Sequence, residues 1–211
     1  MKIRNFIQFL IVSGMAVMLS GCESGDSNPA DGHDFGDNDP NLYAAIGDSI
    51  TYGWGATTTY PSILSSILGK TVINKGVPGA ESPEGVSMAR TVLANNKPGY
   101  LLILYGANDA ITGYNLDQTV ENLRAIIQAA KANKTIPIIG TVTPMYTEHI
   151  IFDGGTDYIN ERLIPMAKAE GAIVADLHAA FGTNVQYMQG DGLHPNDEGL
   201  RIIANTFADA L

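Results

Sequence analysis

Five short and almost continuously apolar runs alternate with longer segments of helical periodicity, and this alternation restricts the chain to few folds. The runs lie at residues 42–47, 71–74, 100–106, 136–142 and 172–177. Such continuous apolarity is typical of strands that are covered on both faces. The predicted helices lie at residues 60–69, 83–96, 116–133, 157–170 and 196–210. The pattern predicts an α/β fold, with a five-stranded parallel sheet between two layers of helices.

Two of the predicted helices carry specific expectations. In segment 116–133 the apolar residues share one face, and Asn115 with Gln118 three positions later resembles a capping box. The residues of that face are Val120, Leu123, Ile126, Ile127 and Ala130. Pro165 lies inside segment 157–170, where its ring and its missing N–H are expected to kink or interrupt the helix.

Residues 1–21 have the layout of a secretory signal peptide. Lys2 and Arg4 precede an apolar run that is too short and wrongly flanked for a membrane-spanning helix. Small residues then lead to Cys22, the single cysteine of the chain, and this stretch resembles a bacterial lipobox. We expect cleavage before Cys22 and lipid attachment to its sulfur, which places the protein on a membrane of the bacterial cell envelope, facing the periplasm or the exterior. The alternative is an incidental buried cysteine.

Composition divides the rest of the chain into a predicted linker and a single predicted domain. Residues 22–40 consist mainly of Gly, Ser, Asn, Asp and Pro, which predicts a flexible acidic linker. A calcium loop is less favoured there, because the glycine and terminal glutamate of an EF-hand are missing. Residues 41–211 suffice for a single domain.

The formal charge of the chain is −10, and it becomes −12 when the two basic residues of the signal peptide leave, which argues against nucleic acid as a partner. We expect no cofactor and no metal.

The first predicted strand ends in Gly47-Asp48-Ser49, where a glycine permits a sharp turn before a serine. Ligands of open parallel sheets bind beyond the carboxyl ends of the strands. Ser49 is therefore a candidate nucleophile, and the alternative is an ordinary turn that caps a helix. Asp48 is interpreted as structural, since a carboxylate beside Ser49 would repel a developing oxyanion. Ser87, in an incomplete G-x-S-x-G match, falls inside a predicted helix and is no candidate.

A candidate base lies in the stretch DGLHPNDEG at residues 191–199. Asp191 and His194 are three positions apart across a turn, so the carboxylate can accept a hydrogen bond from imidazole Nδ1–H. Nε2 is then left to take a proton from a serine. A plain loop turn is the alternative.

Two further loops after predicted strands offer donors for a negatively charged oxygen. Residues 74–82 contain Gly76 and Gly79, whose backbone N–H groups can approach a ligand closely. Residues 105–110 contain Asn108, whose carboxamide is a neutral donor. Each loop also has the composition of an ordinary turn.

In this order, Gly47-Asp48-Ser49, Gly79, Gly106-x-Asn108-Asp109 and Asp191-x-x-His194 resemble the SGNH (GDSL) hydrolase family, and its arylesterase/lysophospholipase-like branch, across about 150 residues. The resemblance implies a three-layer α/β/α sandwich with flavodoxin-like strand order. It implies that Ser49 is the nucleophile, His194 the base and Asp191 the acid that orients the base. The Ser49 N–H, the Gly79 N–H and the Asn108 side chain would form the oxyanion hole. Ile50 stands where many members carry leucine.

The function implied by this resemblance is serine-dependent hydrolysis, through an acyl-enzyme, of small or lipid or carbohydrate acyl esters. An O-acyltransferase with the same triad and a non-catalytic surface binding lipoprotein are the rivals. The walls of the substrate site are expected in loops 51–60, 143–156 and 178–190. The run HIIF at 149–152 either lines an acyl pocket or buries a face of its loop, and we favour burial.

Overall fold

Five parallel strands form one sheet in the computed structural model, which describes residues 30–211. They are β1 (Asp39–Gly47), β2 (Thr71–Gly76), β3 (Pro98–Leu104), β4 (Ile136–Gly140) and β5 (Ile173–Ala175). Their order across the sheet is β2-β1-β3-β4-β5, the flavodoxin-like order. The predicted fold class and strand number are confirmed. The predicted signal peptide, Cys22 and the start of the linker lie outside the described residues.

Helices cover the sheet on both faces. They are α1 (Ser49–Tyr52), α2 (Tyr60–Leu68), α3 (Ser82–Asn96), α4 (Ala107–Thr112), α5 (Leu116–Ala132), α6 (Asp153–Ala169), α7 (Leu177–Phe181) and α8 (Asp197–Asp209), with 3-10 helices at Thr147–Phe152 and Val185–Tyr187. Helices α3, α5 and α6 pack in one layer, and α2, α7 and α8 pack in the other. The predicted apolar face of α5 is wholly buried. None of the helices between residues 30 and 211 combines the length and the apolarity that a membrane span requires.

Helix α6 differs from expectation because it runs through Pro165 without interruption. Leu163 and Met166 on either side of the proline are buried. We infer that this burial holds the helix together across the hydrogen bond that proline cannot make.

Residues 30–40 correct the predicted linker. Phe35 packs its ring against Tyr100 at a centroid distance of 5.7 Å, and Asn38 Nδ2 donates to the carbonyl of Asn133 at 2.6 Å. Asp34 forms an ion pair with Lys134 at 2.5 Å. One aromatic anchor and several polar contacts with the end of α5 therefore order a segment whose composition predicts flexibility, and the packed domain begins before residue 41.

Candidate active site

The predicted site segments meet at the carboxyl edge of the sheet. Strand β1 is followed along the chain by β2, which lies on one side of it, whereas β3 on its other side is followed by β4. The connections that leave β1 and β3 therefore run in opposite directions from this edge. Ser49 is the first residue of α1 and directly follows this edge, and Asn108 lies in the first turn of α4 after β3. Asp191 and His194 occupy the turn before α8.

A continuous chain of hydrogen bonds joins the serine, the imidazole and the carboxylate. Ser49 Oγ lies 2.9 Å from His194 Nε2, and His194 Nδ1 lies 2.6 Å from Asp191 Oδ2. A carboxylate only accepts, so Nδ1 carries the proton and Nε2 is free to accept from the hydroxyl. This arrangement can raise the nucleophilicity of a serine.

Asp191 is held as an anion by the turn that carries it. Its Oδ1 accepts hydrogen bonds from the backbone amides of Leu193 and His194, each at 3.0 Å. Partial burial raises the pKa of Asp191, but the hydrogen bonds from the His194 ring and from the two amides outweigh burial and lower it below its ordinary value. The carboxylate therefore stays ionised at neutral pH and keeps the imidazole in one tautomer.

Close packing at the end of β1 places Ser49 at the sheet edge. A side chain at Gly47 would overlap Thr51 Oγ1 and lie 2.6 Å from the carbonyl of Leu104, so only glycine fits there. Asp48 then caps α1, accepting from the Ile50 amide at 2.9 Å. Ser49 is only 7% exposed, and it opens a helix whose first backbone amides have no intrahelical partner.

The loop after β2 presents Gly79 rather than Gly76. The Gly76 amide donates to Asn74 Oδ1 at 2.9 Å and is engaged within β2. Gly79 adopts φ +78°, and no hydrogen bond among residues 30–211 uses its amide. Asn108 Nδ2 lies beside this loop, 3.0 Å from the carbonyl of Ala80. One backbone donor, the Gly79 amide, and one carboxamide donor, Asn108 Nδ2, therefore lie just beyond β2 and β3, the two strands that flank β1, and β1 ends at Gly47 just before Ser49.

Two buried acids support this side of the site. Asp48 is 1% exposed, and burial raises its pKa to about 7, with the charge of Asp109 acting in the same direction and the Ile50 amide opposing it. Asp48 Oδ2 also lies 3.4 Å from Asn108 Nδ2. Asp109 accepts from Ser82 Oγ at 2.5 Å and from Thr119 Oγ1 at 2.9 Å. These bonds fix α4, and with it Asn108, against α3 and α5.

Exposed apolar side chains lie on two segments that contact the hydrogen-bonded chain, the loop that carries Trp54 and the 3-10 helix Thr147–Phe152, whose His149 bonds the Asp191 carbonyl. The rings of Trp54 and His194 are 6.4 Å apart, and Tyr52 lies 6.5 Å from Trp54. Ile150 and Ile151 are 51% and 78% exposed, so the favoured interpretation that this run buries a face is wrong for both. Phe152 of the same run does pack partly against the core.

Sequence reasoning missed the support that this region gives to the Asp191 turn. His149 Nδ1 lies 2.8 Å from the Asp191 carbonyl, and the Tyr146 amide donates to the Gly192 carbonyl at 2.8 Å. No spacing in the sequence pairs residues 149 and 191, since 42 positions separate them. Ser87, in contrast, lies exposed in α3, where it was predicted to have no role.

The fold and the site together define a class: three-layer α/β proteins that present a serine hydroxyl to an imidazole–carboxylate pair at the edge of a parallel sheet. Comparison with known proteins narrows the class. Residues 45–202 match the GDSL-like Lipase/Acylhydrolase family. The chain is 28% identical, over 174 residues, to thioesterase 1/protease 1/lysophospholipase L1 of Escherichia coli K12, covering 79% of this chain and 81% of that protein.

Two further proteins of this kind are similar to the chain. An acetylxylan esterase of Xylanibacter ruminicola is 28% identical over 207 residues, covering 80% of this chain and 42% of that protein. The crystal structure of a GDSL-like lipase from Bacteroides thetaiotaomicron superposes with a TM-score of 0.69 at 27% identity, covering 81% of this chain and 87% of that one. The chain belongs to the GDSL-like lipase/acylhydrolase family, as its motifs indicated, and is a carboxylic ester hydrolase.

Proposed function

We propose that the protein hydrolyses acyl esters through a covalent acyl-enzyme on Ser49. The single observation that carries the proposal is the hydrogen-bonded chain from Ser49 Oγ through His194 to Asp191, at 2.9 and 2.6 Å. A serine hydroxyl is weakly nucleophilic by itself, and this chain supplies both the base and the group that orients the base.

The reaction proceeds in two balanced steps. Ser49 Oγ forms a bond to the ester carbonyl carbon while His194 Nε2 takes its proton, and the negative oxygen is held by the Ser49 and Gly79 amides and the Asn108 carboxamide. Collapse of this intermediate breaks the bond to the alcohol, which leaves with the proton from His194. Water then attacks the acyl-enzyme by the same route, releasing the acid and restoring the hydroxyl.

Steady-state kinetics of Ser49→Ala and His194→Ala with an aryl acetate test this scheme. Each variant is expected to lose on the order of 10⁴-fold or more in kcat, because either change removes the activated nucleophile. Melting temperatures near that of the wild type would show that the fold persists. Turnover by Ser49→Ala at the wild-type rate would contradict the scheme.

The exposed side chains of Ile150 and Ile151 directly follow His149, which bonds the Asp191 carbonyl, and this supports contact with the acyl part of the substrate. Relatives differ in substrate, since the E. coli protein is named a thioesterase and lysophospholipase and the X. ruminicola protein an acetylxylan esterase. We propose that Ile150 and Ile151 contact acyl chains of medium length. Ile151→Ser is then expected to lower kcat/KM for octanoyl esters several-fold and to leave acetyl esters unchanged, because each buried methylene contributes about 0.8 kcal/mol. An equal loss for both chain lengths would contradict this contact.

Transfer of the acyl group to a sugar hydroxyl is a second outcome that the same chemistry permits. The half-exposed Trp54 ring, 6.4 Å from the His194 ring, offers a flat apolar face to a sugar beside the base. Product analysis with an acetyl donor, with and without an oligosaccharide acceptor, separates the two reactions. Acetylated oligosaccharide in place of free acetate would identify a transferase.

We also propose that the enzyme is attached to a bacterial envelope membrane through a lipid on Cys22. The lipobox-like stretch before Cys22 supports this location. The full-length protein is expected to take up a labelled fatty acid and to sediment with membranes, and Cys22→Ala is expected to do neither. Membrane-associated protein without label would contradict lipid attachment.

A further inference from the structure

The turn that carries Asp191 is held from outside by segment 146–149, which follows β4. The three consecutive carbonyl groups of residues 190–192 each accept one hydrogen bond from this segment. In order along the turn, the donors are Thr147 Oγ1 at 3.3 Å, His149 Nδ1 at 2.8 Å and the Tyr146 amide at 2.8 Å. A backbone carbonyl only accepts, so His149 carries a proton on Nδ1, and it does so in both the neutral and the cationic ring.

The two segments approach each other unusually closely. Gly192 has φ +72°, and a side chain at this position would overlap Thr147 Oγ1 and the Tyr146 carbonyl. Thr147 itself has φ +46°, a left-handed conformation that is strained for a non-glycine residue. Such a conformation persists only where the surroundings determine it, which the hydrogen bonds to the turn do here.

Segment 146–149 is itself fixed to the body of the domain. The Met145 amide donates to Asp153 Oδ1 at 2.7 Å, at the start of α6. The Tyr146 hydroxyl donates to the carbonyl of Gly182 at 2.6 Å, beyond the end of α7. Segment 146–149 therefore connects the Asp191 turn to the start of α6 and to the end of α7.

We propose that His149 is a positioning residue of this esterase, whose ring holds the Asp191 carbonyl and so aims the Asp191 carboxylate at His194. The inference rests on the proposed function of Ser49, His194 and Asp191. The held carbonyl and the catalytic carboxylate belong to one residue, so a rotation of that peptide changes the 2.6 Å contact with the imidazole. Small displacements of this kind lower turnover without unfolding the protein.

Kinetics of two His149 variants and a matched control test the proposal. His149→Leu removes the donor, whereas the amide of His149→Asn can occupy the place of Nδ1–H. We expect His149→Leu to lose about tenfold in kcat with KM within about twofold of wild type, and His149→Asn to recover most of the loss. His33→Leu is the control, because His33 also bonds a backbone carbonyl, that of Lys134, at 3.1 Å but lies in the segment before β1. It is expected to retain the wild-type kcat.

A second measurement needs no substrate. The proton that His194 shares with Asp191 is expected to give a far-downfield ¹H NMR signal in wild type and His149→Asn, and to lose or shift it in His149→Leu. An unchanged kcat and an unchanged signal in His149→Leu would overturn the proposal. So would a loss confined to KM, or an Asn variant no better than the Leu variant. Hydrolysis that does not depend on Ser49 would instead remove the proposed function, while the NMR comparison would still decide whether His149 aligns the pair.

Discussion

The proposed acid–base side and the proposed oxyanion side of this site are built in opposite ways. On the acid–base side, Asp191 is partly exposed, both carboxylate oxygens are engaged, and hydrogen bonds lower its pKa. On the oxyanion side, Asp48 is buried with a raised pKa, and the Gly79 amide has no partner among the described residues. Under the proposed mechanism, the protein stabilises the carboxylate that must stay charged and leaves unpaired the backbone donor that must later bind the negative oxygen.

The largest expected effect comes from breaking the acid–base side. Asp191→Asn keeps an oxygen for the Leu193 and His194 amides but replaces the acceptor of Nδ1–H, so the imidazole loses its productive tautomer. We expect kcat to fall by about 10³–10⁴-fold with little change in melting temperature. A kcat within tenfold of wild type would show that the carboxylate does not orient His194.

On the oxyanion side, Asn108→Ala is expected to lower kcat by about 10²–10³-fold with little change in KM, because the carboxamide acts on charge that develops only during reaction. Asn122→Ala is a matched control. Asn122 also uses its carboxamide within this network, and it donates to Ser82 Oγ, in the first turn of α3, at 2.9 Å. Comparable losses of kcat in both variants would mean that Asn108 acts through packing alone.

The carboxyl groups of Asp48 and Asp191 are expected to change the free energy of unfolding with pH in opposite directions. The pKa of Asp48 rises from an ordinary value near 3.8 to about 7 on folding, so the native state keeps a proton that the unfolded chain releases. The free energy of unfolding should therefore fall by a few kcal/mol as pH rises from about 4 to about 7. Asp191, with its lowered pKa, contributes stability above its ordinary pKa, and this is lost only as pH falls through the lowered value.

Urea denaturation of wild type and Asp48→Asn across that pH range measures how much the Asp48 carboxyl contributes to the pH dependence of stability. The variant cannot titrate at this position but keeps an oxygen for the Ile50 amide, so its stability should depend less on pH between 4 and 7. Identical pH slopes for both proteins would show that the buried carboxyl is not protonated in the native state.

The smallest expected effect tests whether the Gly79 amide is the backbone donor of the site. Gly79 and Gly113 have φ of +78° and +76°, and a methyl group at either position meets open space. Alanine at each should therefore cost a similar 1–2 kcal/mol of stability through backbone strain. Only Gly79→Ala is expected to lower kcat, by about tenfold, because it moves an amide of the proposed oxyanion hole. Equal kcat in the two variants would remove Gly79 from that role.

Much of this architecture could be predicted from the sequence. Continuous apolar runs identified all five strands, and motifs that follow strands converge because parallel strands end at one edge. The short helices α1, α4 and α7 escaped prediction, since one or two turns carry no periodicity. Residues 30–40 and segment 146–149 escaped it for another reason: Phe35 and His149 act through contacts with residues distant in sequence, Tyr100 and Asp191. Composition does not encode such contacts.

Intact-protein mass spectrometry after treatment with a fluorophosphonate tests the central claim most directly. If His194 and Asp191 activate Ser49, the wild type should gain one phosphonyl group, mapped to the peptide that contains Ser49. His194→Ala should react far more slowly, and Ser49→Ala should gain nothing. A wild-type protein that stays unlabelled, or that is labelled at another residue while ester hydrolysis continues, would contradict the account.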